Sequence, residues 1–165
     1  MAKPDYTLIF IVEDDEAYAA AIRHSLERKN YMNVKVFGNG EDCLAHMHLK
    51  PEIILLDYML GEGHMDGMEV LRSIRKIDED VQIVFLTSVD KLEVATNTIK
   101  AGAYDYVVKS EAATERIRNV LRRIIFEYHI KKENRLLRKS RRVIIGLIVV
   151  LALGIVLLGM LQILR

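Results

Sequence analysis

The chain contains few of the residues that cross-link small proteins or interrupt regular structure. Its 165 residues include one cysteine, two prolines and nine glycines. A single cysteine excludes an internal disulfide, and Cys43, within EDCLAHM, is predicted to be a small core residue of a helix. The five histidines show no HxxxH spacing, so we predict no structural zinc site.

The near-neutral net charge of +1 conceals an uneven distribution along the chain. Residues 1–125 contain 16 Lys and Arg against 21 Asp and Glu, a net of −5, whereas residues 126–165 contain 8 against 2, a net of +6. A domain that binds nucleic acid carries its basic residues on the folded unit. The acidic first part therefore argues against a nucleic-acid partner.

The longest uncharged stretch covers residues 143–164 and holds one amide, Gln162. At 1.5 Å per residue, a helix of that length spans about 33 Å, enough for a hydrocarbon core of about 30 Å. We predict a single transmembrane helix here. The alternative is a buried core helix, but such helices are seldom apolar all round over this length.

Residues 126–142, just before that stretch, are predicted to form a basic helical neck. Seven basic residues lie there: Lys131, Lys132, Arg135, Arg138, Lys139, Arg141 and Arg142. Only Arg165 follows the apolar stretch, so the positive-inside tendency predicts that the preceding domain faces the cytoplasm. The neck would contact anionic lipid head groups, at about 1 kcal/mol per basic residue. Alternatively, it is an ordinary solvated helix.

Apolar runs alternate with amphipathic stretches over residues 5–125. The runs cover residues 6–12, 32–37, 52–57, 81–87 and 104–109. Most are aliphatic nearly throughout, which is typical of parallel strands covered on both faces, and the stretches between them place apolar residues three and four apart, as helices do. This indicates an α/β domain with a doubly wound, five-stranded parallel sheet, for which we assume the flavodoxin-like strand order 2-1-3-4-5.

Local signals mark several helix ends. Asp66 with Glu69, and Asp90 with Glu93, have the spacing of a capping box, and Gly102 stands where a C-terminal cap belongs. Neither Gly nor Pro occurs between residues 111 and 145. A single long fifth helix that continues toward the apolar stretch is the simplest prediction.

Polar residues follow four of the predicted strands. Glu13, Asp14 and Asp15 follow the first, Asp57 ends the third, Thr87 ends the fourth and Lys109 ends the fifth. In a sheet ordered 2-1-3-4-5 these strand ends meet at one edge, where ligands bind.

Carboxylates gathered at one edge repel each other, so either their pKa values rise or a cation lies among them. Oxygen ligands of this kind suit Mg²⁺. One carboxylate could then attack a phosphoryl group, and a hydroxyl and an ammonium could donate to its oxygens.

The motifs VEDDE, IILLDYML, VFLTS and GAYDYVVK, in this order, resemble the receiver domain of bacterial two-component response regulators. The resemblance covers about residues 5–125. It implies that Asp57 accepts a phosphoryl group from a histidine kinase or phosphotransfer protein. It also implies that Glu13, Asp14, Asp57 and the backbone carbonyl of Met59 hold Mg²⁺.

The same resemblance assigns three further residues. Thr87 and Lys109 would bind the phosphoryl oxygens, and Thr87 and Tyr106 would form the conformational switch. It implies no enzyme activity beyond self-phosphotransfer and autodephosphorylation. The chain departs from the family pattern at Ser110, where a proline is usual. It departs again in the loop YMLGEGHM, which has eight residues and no proline instead of about six with one.

Each of these residues also has an ordinary structural interpretation. Asp57 could be a helix cap, Thr87 the end of a strand, Tyr106 part of the core and Lys109 a solvated charge. His64, in the loop after Asp57, invites assignment as a catalytic base, but a polar loop residue is the simpler interpretation.

The leading functional hypothesis is a membrane-anchored receiver in a phosphorelay, signalling through contacts with an unidentified protein partner in or near the membrane. The alternative is a membrane scaffold, a pseudo-receiver that recruits partners independently of phosphate. A third hypothesis is a phosphatase of the haloacid dehalogenase kind. That class places its nucleophile in a DxD motif after the first strand, where this chain has EDD.

Overall fold

The computed structural model describes residues 5–88, 92–128 and 130. The strands are β1 (Ile9–Val12), β2 (Val34–Phe37), β3 (Ile53–Asp57), β4 (Gln82–Thr87) and β5 (Asp105–Val108). The helices are α1 (Glu16–Glu27), α2 (Gly40–Ala45), α3 (Gly67–Ile77), α4 (Leu92–Lys100) and α5, whose described helical residues are 113–128. A 3₁₀ turn, Met47–Leu49, follows α2.

The five strands form one parallel sheet in the order β2-β1-β3-β4-β5. The predicted fold class and strand order are therefore confirmed. Each predicted apolar run exceeds its strand by one to three residues. The extra residues lie outside the backbone ladder, and Tyr6 and Met32 among them are 72% and 59% exposed, so an apolar residue next to a strand is not always buried with it.

The three central strands are buried on both faces of the sheet, which explains their continuous aliphatic sequence. One face packs on α2 and α3 through a single cluster, which includes Phe10, Val12, Cys43, Ile54, Leu56, Val70, Leu71, Ile74 and Phe85. Alternate residues such as Ile11 and Leu55 lie on the other face and are equally inaccessible. Burying each large side chain stabilises the fold by about 1.5–3 kcal/mol.

Cys43 confirms its predicted place in a helix and in the core. It lies in α2 with no exposed surface. Burial raises the pKa of its thiol to about 12, so the thiolate that would react or bind metal is strongly disfavoured.

Capping residues define where several of the helices between the strands begin or end. The Asp15 side chain accepts hydrogen bonds from the backbone N–H groups of Ala17 and Tyr18 and so begins α1. Asp66 and Glu69 form the predicted capping box of α3. Gly102 follows α4 with φ +101°, a left-handed conformation that glycine adopts without strain. The other predicted capping pair includes Asp90, which lies outside the described residues.

The chain divides into two compact units, Met1–Arg122 and Arg123–Arg165. The first contains the sheet and every side chain discussed above. Of the second, the structure describes 123–128 and 130, where Phe126 is 66% exposed. The predicted transmembrane helix, 143–164, and most of the neck lie outside the described residues. Within the described part of the chain, no helix combines the length and apolarity that crossing a bilayer requires.

Candidate functional site

The carboxyl ends of β1, β3, β4 and β5 bring four predicted residues to one edge of the sheet. Glu13 directly follows β1, Asp57 and Thr87 are the last residues of β3 and β4, and Lys109 directly follows β5. Because all of these strands are parallel, their carboxyl ends point the same way. The predicted convergence of acidic and basic side chains at this edge is confirmed by the contacts that follow.

Three carboxylates form the acidic part of the site. Glu13, Asp14 and Asp57 each place one carboxylate oxygen within 4.8 Å of the others. Glu13 is 1% exposed and Asp57 4% exposed, while Asp14 is open to solvent. The next acidic residue, Asp15, is occupied as the cap of α1. The sequence EDD therefore supplies two residues to the acidic cluster and one to the helix.

Lys109 supplies the positive charge between the two buried carboxylates. Its Nζ donates to Glu13 Oε1 at 2.8 Å and to Asp57 Oδ2 at 2.7 Å. Burial acts to lower the pKa of Lys109, but hydrogen bonds and charge attraction to Asp57 and Glu13 outweigh it and raise the pKa. Lys109 is therefore held as a cation inside the site.

The backbone of Lys109 is fixed by β4. Its N–H donates to the carbonyl oxygen of Thr87 at 2.7 Å. This hydrogen bond fixes the position of the backbone from which the Lys109 side chain extends. Every peptide bond in the described part of the chain is trans. Ser110, which stands where the resembled family usually has proline, thus leaves Lys109 within reach of both carboxylates.

Glu13 carries an unused oxygen. Its Oε2 is buried and has no hydrogen-bond partner among the described residues. Burial raises the pKa of Glu13 to about 7, although the hydrogen bond from Lys109 opposes the shift. An unsatisfied buried carboxylate oxygen, beside Asp14 and Asp57, is suited to a hard divalent cation such as Mg²⁺. The residues present therefore fit the metal that the sequence predicted.

Tyr18 belongs to the site but was not predicted from the sequence. Its ring centroid lies 4.9 Å from Lys109 Nζ, a cation–π contact of about 0.5–1 kcal/mol. Its hydroxyl is buried without a partner in the described part of the chain, and burial raises its pKa. In the sequence it is one more apolar position of α1, so no local signal distinguishes it from a core residue.

Thr87 and Tyr106 lie on neighbouring strands, but their positions do not test the roles predicted for them. Thr87 is 2% exposed at the end of β4. Tyr106 is half-buried on β5, is paired in the sheet with Phe85, and has the guanidinium of Arg116 at 5.6 Å from its ring centroid. The role of these residues as a switch stays a prediction.

The loop after β3, which contains Met59, approaches the acidic cluster at Gly61. The Met59 side chain is 65% exposed, and the predicted use of its carbonyl as a metal ligand stays a prediction. Gly61 has φ +58°, and a Cβ placed there would lie 3.5 Å from Asp14 Oδ2. The long loop thus passes directly beside the exposed carboxylate.

Glu41 of α2 holds this loop and was also missed by sequence reasoning. One of its oxygens accepts the Met65 N–H at 3.0 Å, and the other lies 3.3 Å from His64 Nδ1. The Met65 hydrogen bond is the main reason that the pKa of Glu41 is lowered. His64 therefore contacts a loop-fixing carboxylate, which matches its simpler interpretation as a polar loop residue.

Comparisons with known proteins agree with this geometry. The family model for the response regulator receiver domain matches residues 9–122. The transcriptional regulatory protein AfsQ1 of Streptomyces coelicolor is 37% identical over 119 residues, covering 70% of this chain and 51% of that protein. The chain spans about half the length of the curated relatives it first matches.

Two solved structures illustrate the likeness in fold. A Francisella response regulator receiver domain has a TM-score of 0.64 at 23% identity, covering 73% of this chain and 98% of that one. The signal receiver domain of a modulated diguanylate cyclase from Desulfovibrio desulfuricans has a TM-score of 0.65 at 27% identity, covering 77% and 99%. With its sheet order, its acidic cluster and the family match over residues 9–122, this chain belongs to the response regulator receiver domain family.

Proposed function

We propose that this protein is a phosphoreceiver in which Asp57 takes a phosphoryl group from a histidine kinase or phosphotransfer protein. The observation that carries the proposal is the setting of Asp57. Its carboxylate ends a buried strand, lies with Glu13 and Asp14 in one oxygen cluster and accepts a hydrogen bond from Lys109. An unpaired buried carboxylate would be costly, and the contact with Lys109 together with the oxygen cluster supports a functional role for this one.

In the proposed reaction an oxygen of Asp57 attacks the phosphorus of the donor. A new bond forms between that oxygen and phosphorus, and the bond from phosphorus to the donor breaks, its electron pair leaving with the donor. Lys109 donates to Asp57 before the reaction and would donate to the phosphoryl oxygens after it. Tyr18 would hold the ammonium in place through its ring.

Glu13, Asp14 and Asp57, with the Met59 carbonyl, would hold Mg²⁺ in this proposal. When bound, the metal supplies positive charge that offsets the charge of the carboxylates and of the incoming phosphoryl group. The unused Glu13 Oε2 supports this assignment. Thr87 would bind a phosphoryl oxygen, and Tyr106 would change rotamer with it, shifting the population between two states of the domain.

Magnesium binding is expected to depend on pH through Glu13. The pKa of Glu13 is raised from 4.5 to about 7 by burial, so below pH 7 the metal must displace a proton. The affinity should therefore fall by about tenfold per pH unit below 7 and level off above it. Calorimetric titration of Mg²⁺ at pH 6 and pH 8 measures this directly.

The Glu13→Gln variant provides the control for that titration. It should bind Mg²⁺ more weakly at pH 8 and lose most of the pH dependence, because glutamine has no proton to displace. The folded-state pKa of Glu13 lies above its unfolded value, so its contribution to stability without metal is greatest at low pH and is lost as pH rises toward 7. Equal affinities at pH 6 and pH 8 for the native protein would contradict the assignment of Glu13.

The proposed output is contact with another protein, made by a receiver that residues 143–164 anchor in the cytoplasmic membrane. Support comes from the uncharged length of that segment, from the basic residues that precede it and from the acidic character of residues 1–125. The same acidity supports a partner other than nucleic acid. AfsQ1 is named as a transcriptional regulator, but only about half of that protein is matched here.

The test of receiver chemistry is the intact mass of the full chain, in neutral detergent, after incubation with acetyl phosphate and Mg²⁺. A gain of one phosphoryl group is expected for the native protein and for Asp80→Asn, which removes an exposed carboxylate remote from the cluster. No gain is expected for Asp57→Asn. Absence of any gain on the native protein, with Mg²⁺ shown to bind, would reject the proposal in favour of a phosphate-independent scaffold.

A further inference from the structure

A second polar pocket lies in the first unit, away from the carboxylate cluster. It is a cavity of about 230 Å³, lined by Lys29, Tyr31, Arg118 and Arg122. Tyr31 precedes β2 and forms an isolated bridge with Asp5, which precedes β1. The pocket therefore lies toward the edge of the sheet opposite the site of Asp57. Its volume is below the roughly 300–1,000 Å³ of pockets for drug-sized ligands, so it suits a small group.

The pocket concentrates positive charge on an acidic domain. Three of its four lining residues are cationic, whereas residues 1–125 as a whole have a net charge of −5. In the described part of the chain the Lys29 ammonium has no carboxylate within 4.0 Å, and the nearest ion pair of Arg118 is a long one, 3.6 Å to the exposed Glu115. Arg122 donates to the neutral amide oxygen of Asn119, so among the described residues only Glu115 forms an ion pair with these cations.

Arg118 has one donor that the described part of the protein leaves unpaired. Its Nε is buried and has no hydrogen-bond partner among the described residues. Buried donors are nearly always satisfied, so an unpaired one is unusual. Tyr31 adds a fourth donor, because burial raises the pKa of its hydroxyl, with a further contribution from Asp5, and so keeps its proton in place.

We propose that this pocket binds a phosphate group, carried either by a soluble phosphate ester or by a lipid head group. A phosphate offers several acceptor oxygens around one centre and one or two negative charges, which suits a cavity lined by guanidinium, ammonium and hydroxyl groups. A carboxylate has only two oxygens and would leave more of these donors unpaired. The site is separate from Asp57, so it does not depend on receiver chemistry.

The test measures how fast Lys29 of the full chain reacts with acetic anhydride, by peptide mass spectrometry, with exposed Lys35 of β2 as the internal reference. The chain is held in neutral detergent with EDTA, so that metal does not draw anions to the carboxylate cluster. Three conditions are compared with no addition: pyrophosphate, phosphatidylglycerol in the micelles, and phosphatidylcholine in the micelles. Binding should slow the labelling of Lys29 by about fivefold or more at saturation and leave Lys35 unchanged.

Two double variants complete the design. Arg118→Gln with Arg122→Gln removes two pocket cations and should abolish the protection of Lys29. Arg72→Gln with Lys76→Gln removes the same charge from exposed positions of α3 and should keep it. Circular dichroism and thermal unfolding show whether each variant is folded.

The pattern of protection identifies the source of the phosphate. Protection by pyrophosphate supports the pocket with a soluble phosphate ester as ligand, and protection by phosphatidylglycerol alone supports it with a lipid head group. Equal labelling of Lys29 in every condition would overturn the proposal. So would protection that persists in the folded Arg118→Gln, Arg122→Gln variant, since that would reflect general contact with the micelle.

Discussion

Replacing Lys109 by methionine is expected to destabilise the metal-free protein by about 3 kcal/mol at pH 8, the scale on which removal of one partner from a buried ion pair acts. Lys109 is the cation that contacts both Glu13 and Asp57, and those two carboxylates are 1% and 4% exposed. Without it, two buried negative charges remain close together. Equilibrium denaturation with urea measures the loss.

The Lys109→Met variant should differ from the native protein in how its stability depends on pH and in its affinity for Mg²⁺. Unpaired carboxylates take up protons more readily, so the loss of stability should shrink as pH falls from 8 to 6. Mg²⁺ should bind more tightly than to the native protein, because the competing ammonium is gone. Phosphoryl incorporation should nevertheless be slower by about a hundredfold, as expected when one donor to the reacting oxygens is lost.

Lys35→Met is the matched control for Lys109→Met. Lys35 is an exposed residue of β2, outside the site, so its removal changes the net charge equally without freeing a buried carboxylate. Its stability should stay within about 0.5 kcal/mol of native. A Lys109→Met protein as stable as this control in the absence of Mg²⁺ would show that the Lys109 contacts do not hold the site together.

Replacing Gly67 by alanine should cost about 3 kcal/mol of stability, the upper range for forcing atoms into a packed site. Gly67 begins α3, and a Cβ there would collide with the carbonyl oxygen of Asp57 itself. It would also lie 2.9 Å from Phe85 Cε1 and 3.0 Å from Tyr58 Cα. Two of these atoms are backbone, so a side-chain rotation cannot relieve the overlap, and β3 or α3 must move.

The consequences of Gly67→Ala reach the site because Asp57 is one of the residues that must shift. Phosphoryl incorporation should fall together with stability. Gly38→Ala is the control, since a Cβ at Gly38 meets nothing within 4 Å, and thermal unfolding compares the two variants. If Gly67→Ala melts at the native temperature, the close packing of α3 on the end of β3 is not present in solution.

The strands and the acidic residues after them were predictable because their signals are local. Ile53 to Leu56 form a continuous aliphatic run, which a strand buried on both faces requires, and Asp57 ends it. The Asp66 and Glu69 pair marks the start of α3 through its own short-range hydrogen bonds. Such features depend on residues a few positions apart, so one sequence suffices to show them.

Other parts of the site left no trace in the sequence. Tyr18 has the spacing of an ordinary apolar residue of α1, and Glu41 that of an exposed acid in the first turn of α2. Their roles depend on how each helix lies against the sheet, which brings Tyr18 to Lys109 and Glu41 to the loop at Met65. The cationic pocket likewise joins Lys29 and Tyr31, which follow α1, to residues of α5.

By itself, the sequence determined the class of fold, the position of Cys43 in the core and the acidic residues that follow the strands. Hydrophobic periodicity and helix capping act over a few residues, so they are visible in the chain alone. Only the tertiary structure decided which of those charges meet. Lys109 is 96 residues from Glu13 and 52 from Asp57 along the chain, and packing of the sheet and helices brings the three within hydrogen-bond distance.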